Sequence, residues 1–183
     1  MKGPLSLIIF LLLAITVWWS ITENYEEEQL HQAKSKSYVE IFMNEFEITT
    51  MNENGSPNYI LNGSHLQRYN DSDETEVQQP VFNLLQENGQ WKISADNAII
   101  NDKNDTIQLN DNVIMQQQNI EPAITIRTQR LLINTKTQIA QTQTQINITQ
   151  GQSLLKAKGM IFNNLTSELE LLSNVSGYYL PYD

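Results

Sequence analysis

The chain has 183 residues, of which 40% are hydrophobic and 17% charged, and it contains no cysteine. That length suits one domain rather than two full ones, and the missing thiols exclude disulfides, zinc–thiolate sites and cysteine nucleophiles together. With 11 Lys and Arg against 21 Asp and Glu the formal net charge is −10, which argues against nucleic acid as a partner, because backbone binding needs a cationic footprint.

From Leu5 to Trp19 the sequence is apolar except for Ser6 and Thr16, and Ile21 extends the run. This is near the lower length limit for a helix crossing a bilayer. Trp18 and Trp19 close the run, where indole rings favour the headgroup region, Lys2 precedes it, and Glu23, Glu26, Glu27 and Glu28 follow it. The positive-inside rule then keeps the amino terminus in the cytoplasm and exports the rest. Residues 1–22 are expected to be a transmembrane anchor, giving a single-pass membrane protein. A cleaved signal peptide is the rival reading, but bulky Trp19 stands where a small-x-small cleavage site needs small residues.

Residues 23–36 are polar, with alternating charge blocks and no apolar stripe, and read as a linker. From Tyr38 onward, short runs rich in Ile, Val, Thr and aromatics alternate with Asn, Asp, Gly and Gln clusters. That is the signature of strands and turns, so residues 37–183 are expected to form an all-β domain. Period-two alternation is clear at Trp91, Ile93 and Ala95, at Ile107 and Leu109, at Ile124 and Ile126, and at Ile146 and Ile148, so one face of the sheet is buried. The 20 Asn and 18 Gln provide uncharged polar outer faces. Gln141 to Gln145 alternates Gln with Thr, and its β-branched residues favour a strand over disorder.

A degenerate repeat runs through this region. Trp91-x-x-x-Ala95-x-x-Ala98-x-Ile100-Asn101 is followed by Ile124-x-x-x-Thr128-x-x-Leu131-x-Ile133-Asn134 and then by Ala157-x-x-Met160-x-Phe162-Asn163. Each unit reads as strand, turn, strand, and must stack on its neighbours to bury its face. The phase change between Ala95 and Ala98 predicts a bend inside each unit. Ten or so strands exceed what one flat sheet carries, so two antiparallel sheets facing each other, as a sandwich or an open jelly roll, are the expected architecture.

Catalytic chemistry is hard to find. His31 and His65 have no metal-ligand spacing to another candidate, and the cluster Asp71, Asp73, Glu74 and Glu76 reads as a solvated turn rather than a calcium loop. A cell-wall hydrolase would need a convergent acid/base pair, and none is apparent. No enzymatic activity, cofactor or metal is expected. The apolar inner face is the better candidate, read either as a dry core or as a groove for acyl chains. The inner-face set expected from alternation is Tyr59, Leu61, Val81, Leu85, Trp91, Ile93, Ala95, Ile107, Leu109, Val113, Ile124, Ile126, Ile133, Ile139, Ile146, Ile148, Ala157, Phe162, Leu169 and Leu171. A slip of one residue would invert a whole strand of it.

Gln79-Pro80-Val81, then Trp91-x-Ile93-x-Ala95-Asp96-x-Ala98 with Leu109 and Val113, Ile126-x-Thr128 with Ile133-Asn134, and Lys156-Ala157-Lys158-Gly159 with Leu169, Leu172 and Val175 together resemble the LptC family of lipopolysaccharide export. The N-terminal anchor separates this resemblance from secreted LptA-like relatives. The resemblance implies a single-pass protein of the inner membrane whose open, twisted β-jelly roll stands in the periplasm and shields the acyl chains of lipopolysaccharide between its two sheets. It also implies receipt of that lipid from the LptBFG transporter, through the N-terminal edge (residues 38–50) and the transmembrane helix, and delivery to LptA through the C-terminal edge strands (residues 154–179). Lys92, Arg127, Arg130, Lys156 and Lys158 are candidate counter-charges near a mouth. A bitopic adapter with a dry sandwich, joining partners through its edges, is the alternative.

Overall fold

A computed structural model describes residues 37–51, 54–85 and 90–180. The expected anchor and linker lie outside the described residues, and no helix occurs within them. The compact unit Tyr38–Asp183 is built from eleven strands. They are β1 Val39–Met51, β2 Pro57–Tyr69, β3 Glu74–Gln78, β4 Val81–Leu84, β5 Trp91–Ser94, β6 Asn97–Asn101, β7 Thr106–Gln117, β8 Thr125–Asn134, β9 Ile139–Gln150, β10 Ser153–Asn163 and β11 Glu168–Tyr178. All pairings are antiparallel and join a single sheet.

The short strands are halves of longer ones. β3 pairs β6 and β4 pairs β5 in one unbroken register, from Glu74↔Asn101 to Leu84↔Trp91. Pro80 has no N–H to donate and Gln79 adopts φ 50°, so the path breaks between β3 and β4. The neighbouring path breaks opposite it, at Ala95-Asp96, and the gap is closed by Gln79 N donating to Asp96 O at 2.8 Å and Ala95 N to Pro80 O at 3.3 Å. With these halves joined, each strand pairs with its neighbour in the sequence.

Irregularities line up across the middle of the sheet. In β7 the register to β8 shifts between Asn110 and Val113, where Asp111 and Asn112 have φ 61° and 49°. Asn and Asp tolerate this left-handed region better than most residues. Asn112 Nδ2 donates to Asp96 Oδ2 at 2.6 Å and so ties the bulge to the adjacent break. Gly159 (φ 80°) marks the shift between β9 and β10, and Asn174 (φ 52°) lies where β10 and β11 slip. The bend expected from the phase change at Ala95 is therefore a seam running from strand to strand, and bulges of this kind sharpen twist. Small inner residues occupy it. Gly63 has no room for a side chain, since a Cβ there would sit 2.8 Å from the Phe46 ring.

Bending lets the sheet face itself. Trp91 of β5 and Phe162 of β10 have ring centroids 5.4 Å apart, edge to face, although β7, β8 and β9 separate the two strands in hydrogen-bond order. Across flat strands spaced about 4.8 Å apart such a contact is impossible. The sheet is rolled into two facing layers, which fits the expected jelly roll in outline.

The repeat also has a structural cause. Asn101, Asn134 and Asn163 each end a strand and accept a backbone N–H from the following turn: Asn104 N at 3.1 Å, Thr137 N at 2.7 Å, and Leu165 N at 3.0 Å with Thr166 N at 3.3 Å. Four residues after each, Asp105, Gln138 and Ser167 take φ 53°, 55° and 56° and restart the next strand. Thr135 N donates to Asp105 O at 2.8 Å and Asn164 N to Gln138 O at 3.1 Å, so successive turns stack along one rim. Asx turns of this type supply the local hydrogen bond that the tight reversal would otherwise lose.

Candidate functional site: the inner face, its crevice and the free edges

Register assembles the inner face in rows. On one side of the seam Ile48, Leu61, Phe82, Ile93, Met115, Ile126, Ile148 and Leu155 are matched across successive strands. On the other, Leu66, Val77, Ala98, Leu109 and Leu131 form the corresponding row. The central positions are closed, with Leu109, Val113, Leu131, Ile146 and Met160 at 0% exposure.

Most residues expected on this face are buried in it: Leu61, Trp91, Ile93, Ala95, Ile107, Leu109, Val113, Ile126, Ile146, Ala157 and Phe162. Tyr59, Ile124, Ile133, Ile148 and Leu171 are half-buried and pack against that core. Four differ. Val81 lies one residue off the inner row, where Phe82 is 1% exposed. Leu85 falls just beyond β4, and Leu84 packs on the core instead. Ile139 gives its inner place to Ala140, 6% exposed. Leu169 is in register with buried Phe162, yet stays 39% exposed because β11 is the last strand of the sheet among the described residues. Alternation missed Phe46, Leu66, Val77, Met115, Leu131 and Met160. The polar Thr142 also points inward, its hydroxyl 2.9 Å from that of Thr144.

Between the layers lies an apolar crevice of about 60 Å³, lined by Asn58, Phe82, Leu84, Ile93, Ile107, Met115, Ile133, Ala140 and Phe162 and rimmed by the turn residues Asn134, Thr135, Gln138 and Asn164. It is much smaller than the roughly 300–1,000 Å³ of an ordinary ligand pocket. Lys92, Arg127, Arg130, Lys156 and Lys158 are all exposed. Arg127 and Lys156 both flank Asn147 on the outer face, away from the crevice. Alternation itself put them there, since each neighbours an inner residue.

Both terminal strands keep one unpaired edge among the described residues, because β1 pairs only β2 and β11 only β10. These are also where large apolar side chains reach solvent: Tyr38, Phe42 and Ile41 at 59%, 65% and 39%, and Val175, Tyr178 and Tyr179 at 53%, 58% and 70%. His65 plays a polar role between β1 and β2, its Nδ1 2.7 Å from Asn44 Oδ1. The acidic turn is paired and solvated, with Lys103 Nζ 3.5 Å from Asp73.

Residues 6–180 match the family described as lipopolysaccharide-assembly, LptC-related. The chain belongs to the LptC family. Membership makes it a component of lipopolysaccharide export, a transport role for which no enzymatic activity is known. No curated protein matches the chain. The LptC match extends from within the apolar N-terminal run to the residue after Tyr179, so it includes the rolled sheet and both free edges.

Proposed function

We propose that this LptC-family chain is a membrane-anchored, periplasmic lipopolysaccharide carrier. Its β1 edge receives the lipid from LptBFG and its β11 edge passes it to LptA. One observation carries this reading: a continuous apolar face runs between two strand edges that are unpaired among the described residues, each bearing exposed aromatic and aliphatic side chains. Unpaired edges accept strands from other proteins by β-augmentation. Acyl chains bind by removal of apolar area from water, worth about 25 cal/mol per Å², so the charge of −10 does not oppose them. The crevice admits the end of a tail, and accepting a whole tail requires the two layers to part along the rim of turns.

Photo-crosslinking in the full chain tests the proposal. A crosslinker at Ile126, buried in the inner face, is expected to capture labelled lipopolysaccharide, and one at exposed Arg127 is not. Crosslinkers at Phe42 and Val175 are expected to capture the transporter and LptA respectively. Lipid adducts at Arg127 without any at Ile126 would contradict the carrier reading. The closed centre of the roll favours a second reading, an adapter with a permanently dry interior. That reading predicts both edge adducts and no lipid adduct anywhere.

A further inference from the structure

One cation does sit on the inner face. Arg68 follows buried Leu66 by two residues in β2 and so shares its side of the sheet. It is matched to Thr75, and through it to Ile100, Ile107 and Ile133, two of which line the crevice. Three strand steps separate Arg68 from Ile107, about 14 Å along the sheet. This is the row nearest the turn rim where the crevice opens.

The environment of Arg68 is not that of a satisfied structural arginine. Its Nε is buried with no hydrogen-bond partner among the described residues. Its Nη2 reaches Glu40 Oε2 at 3.3 Å, with the side chain 34% exposed, longer than the 2.7–2.9 Å of a well-formed charge-assisted bond. Fold stability would be served better by an aliphatic residue here, since a buried unpaired donor is costly. A half-buried guanidinium on the same apolar face as the crevice, about 14 Å from it along the sheet and with an unused donor at Nε, suits a ligand that is anionic at one end and greasy at the other. Lys136, exposed on the turn that rims the crevice, adds a positive charge at the opposite end of this row.

We propose that Arg68 is the anion contact of the inner face, binding a phosphate on the sugar headgroup of the lipid whose tails enter the crevice. The assignment rests on the carrier reading above. Glu40 holds the guanidinium in the empty state and is displaced by the phosphate.

The test compares two fluorescent probes, a phosphorylated lipid A and the same molecule with its phosphates removed, on the full chain. Wild type is expected to prefer the phosphorylated probe roughly tenfold or more, the scale of a hydrogen bond to a charged group. Arg68→Met keeps the aliphatic stem and should abolish the preference while retaining the dephosphorylated probe. Arg68→Lys should keep part of it, and Glu40→Gln should raise it. Millimolar inorganic phosphate should leave the lipid bound, and displacement would reassign the site to a free anion. A preference that survives Arg68→Met, or an equal weakening of both probes, overturns the assignment in favour of a packing role. If wild type binds both probes equally, the Arg68 assignment fails alone. If it binds neither, the carrier reading fails with it.

Discussion

Closure of the roll rests on a contact whose strength can be isolated. Trp91 is 8% and Phe162 7% exposed, and their rings meet edge to face with centroids 5.4 Å apart. Truncating either aromatic to alanine in such a site costs about 3–5 kcal/mol, the lower end applying because Phe162 already borders the crevice. Most of that is area and cavity. The ring–ring contact itself is worth about 0.5–1.5 kcal/mol beyond burial. A double-mutant cycle with Trp91→Ala, Phe162→Ala and the pair should therefore fall short of additivity by that amount, read from urea unfolding followed by circular dichroism. For a domain of this size each kcal/mol corresponds to roughly 2–4 °C in Tm. Residues with three strands between them in a flat sheet would not couple. Additivity within about 0.3 kcal/mol would refute the rolled arrangement and, with it, the idea of two layers that part.

Other expectations follow from the same geometry. Phe82→Ala should destabilise by about 3–5 kcal/mol and Val81→Thr by less than about 1, since register puts only Phe82 (1% exposed) on the inner face; equal costs would mean the phase of β4 is reversed. Gly63→Ala should cost about 1–3 kcal/mol by overpacking against Phe46. The loss should appear as faster amide exchange in β1 while β9 and β10 stay protected. Asn134→Ala removes the acceptor for Thr137 N and Oγ1 and should lower stability by about 1 kcal/mol. Asn134→Asp should largely restore it, and an Asp variant no better than Ala would argue against the turn's hydrogen bond as the cause.

The alternating strands were legible in the sequence because Ile, Leu and Val occupy one side and Lys, Gln, Asn or Thr the other, as in Trp91 to Ala95 and Ile107 to Leu109. Alternation fails in β4, where Val81, Phe82, Leu84 and Leu85 place apolar residues on both sides and Pro80 resets the phase just before them. It fails for Ala140 because a small side chain beside Ile139 looks like the less buried of the two. Phe46 was hidden among Glu45 and Glu47, with no periodic partner in so polar a stretch. The repeat was visible from spacing, but its cause, an asparagine side chain closing each reversal, needed coordinates. Arg68 carried no signal, since Leu66-Gln67-Arg68 differs little from the outward cations, and only the pairing through Thr75 to Ile107 reveals its side.

Neighbour-only pairing has a consequence for how such a chain acquires its structure. Once the interrupted strands are counted as one, no hydrogen-bonded partner is ever more than one reversal away along the polypeptide. Loop-closure entropy for each step is then that of a short connection, and contacts so local favour rapid assembly. A polypeptide delivered amino end first need not hold a sticky ribbon open for a distant mate. The facing of the layers, as where Trp91 meets Phe162, must wait until the penultimate strand has arrived.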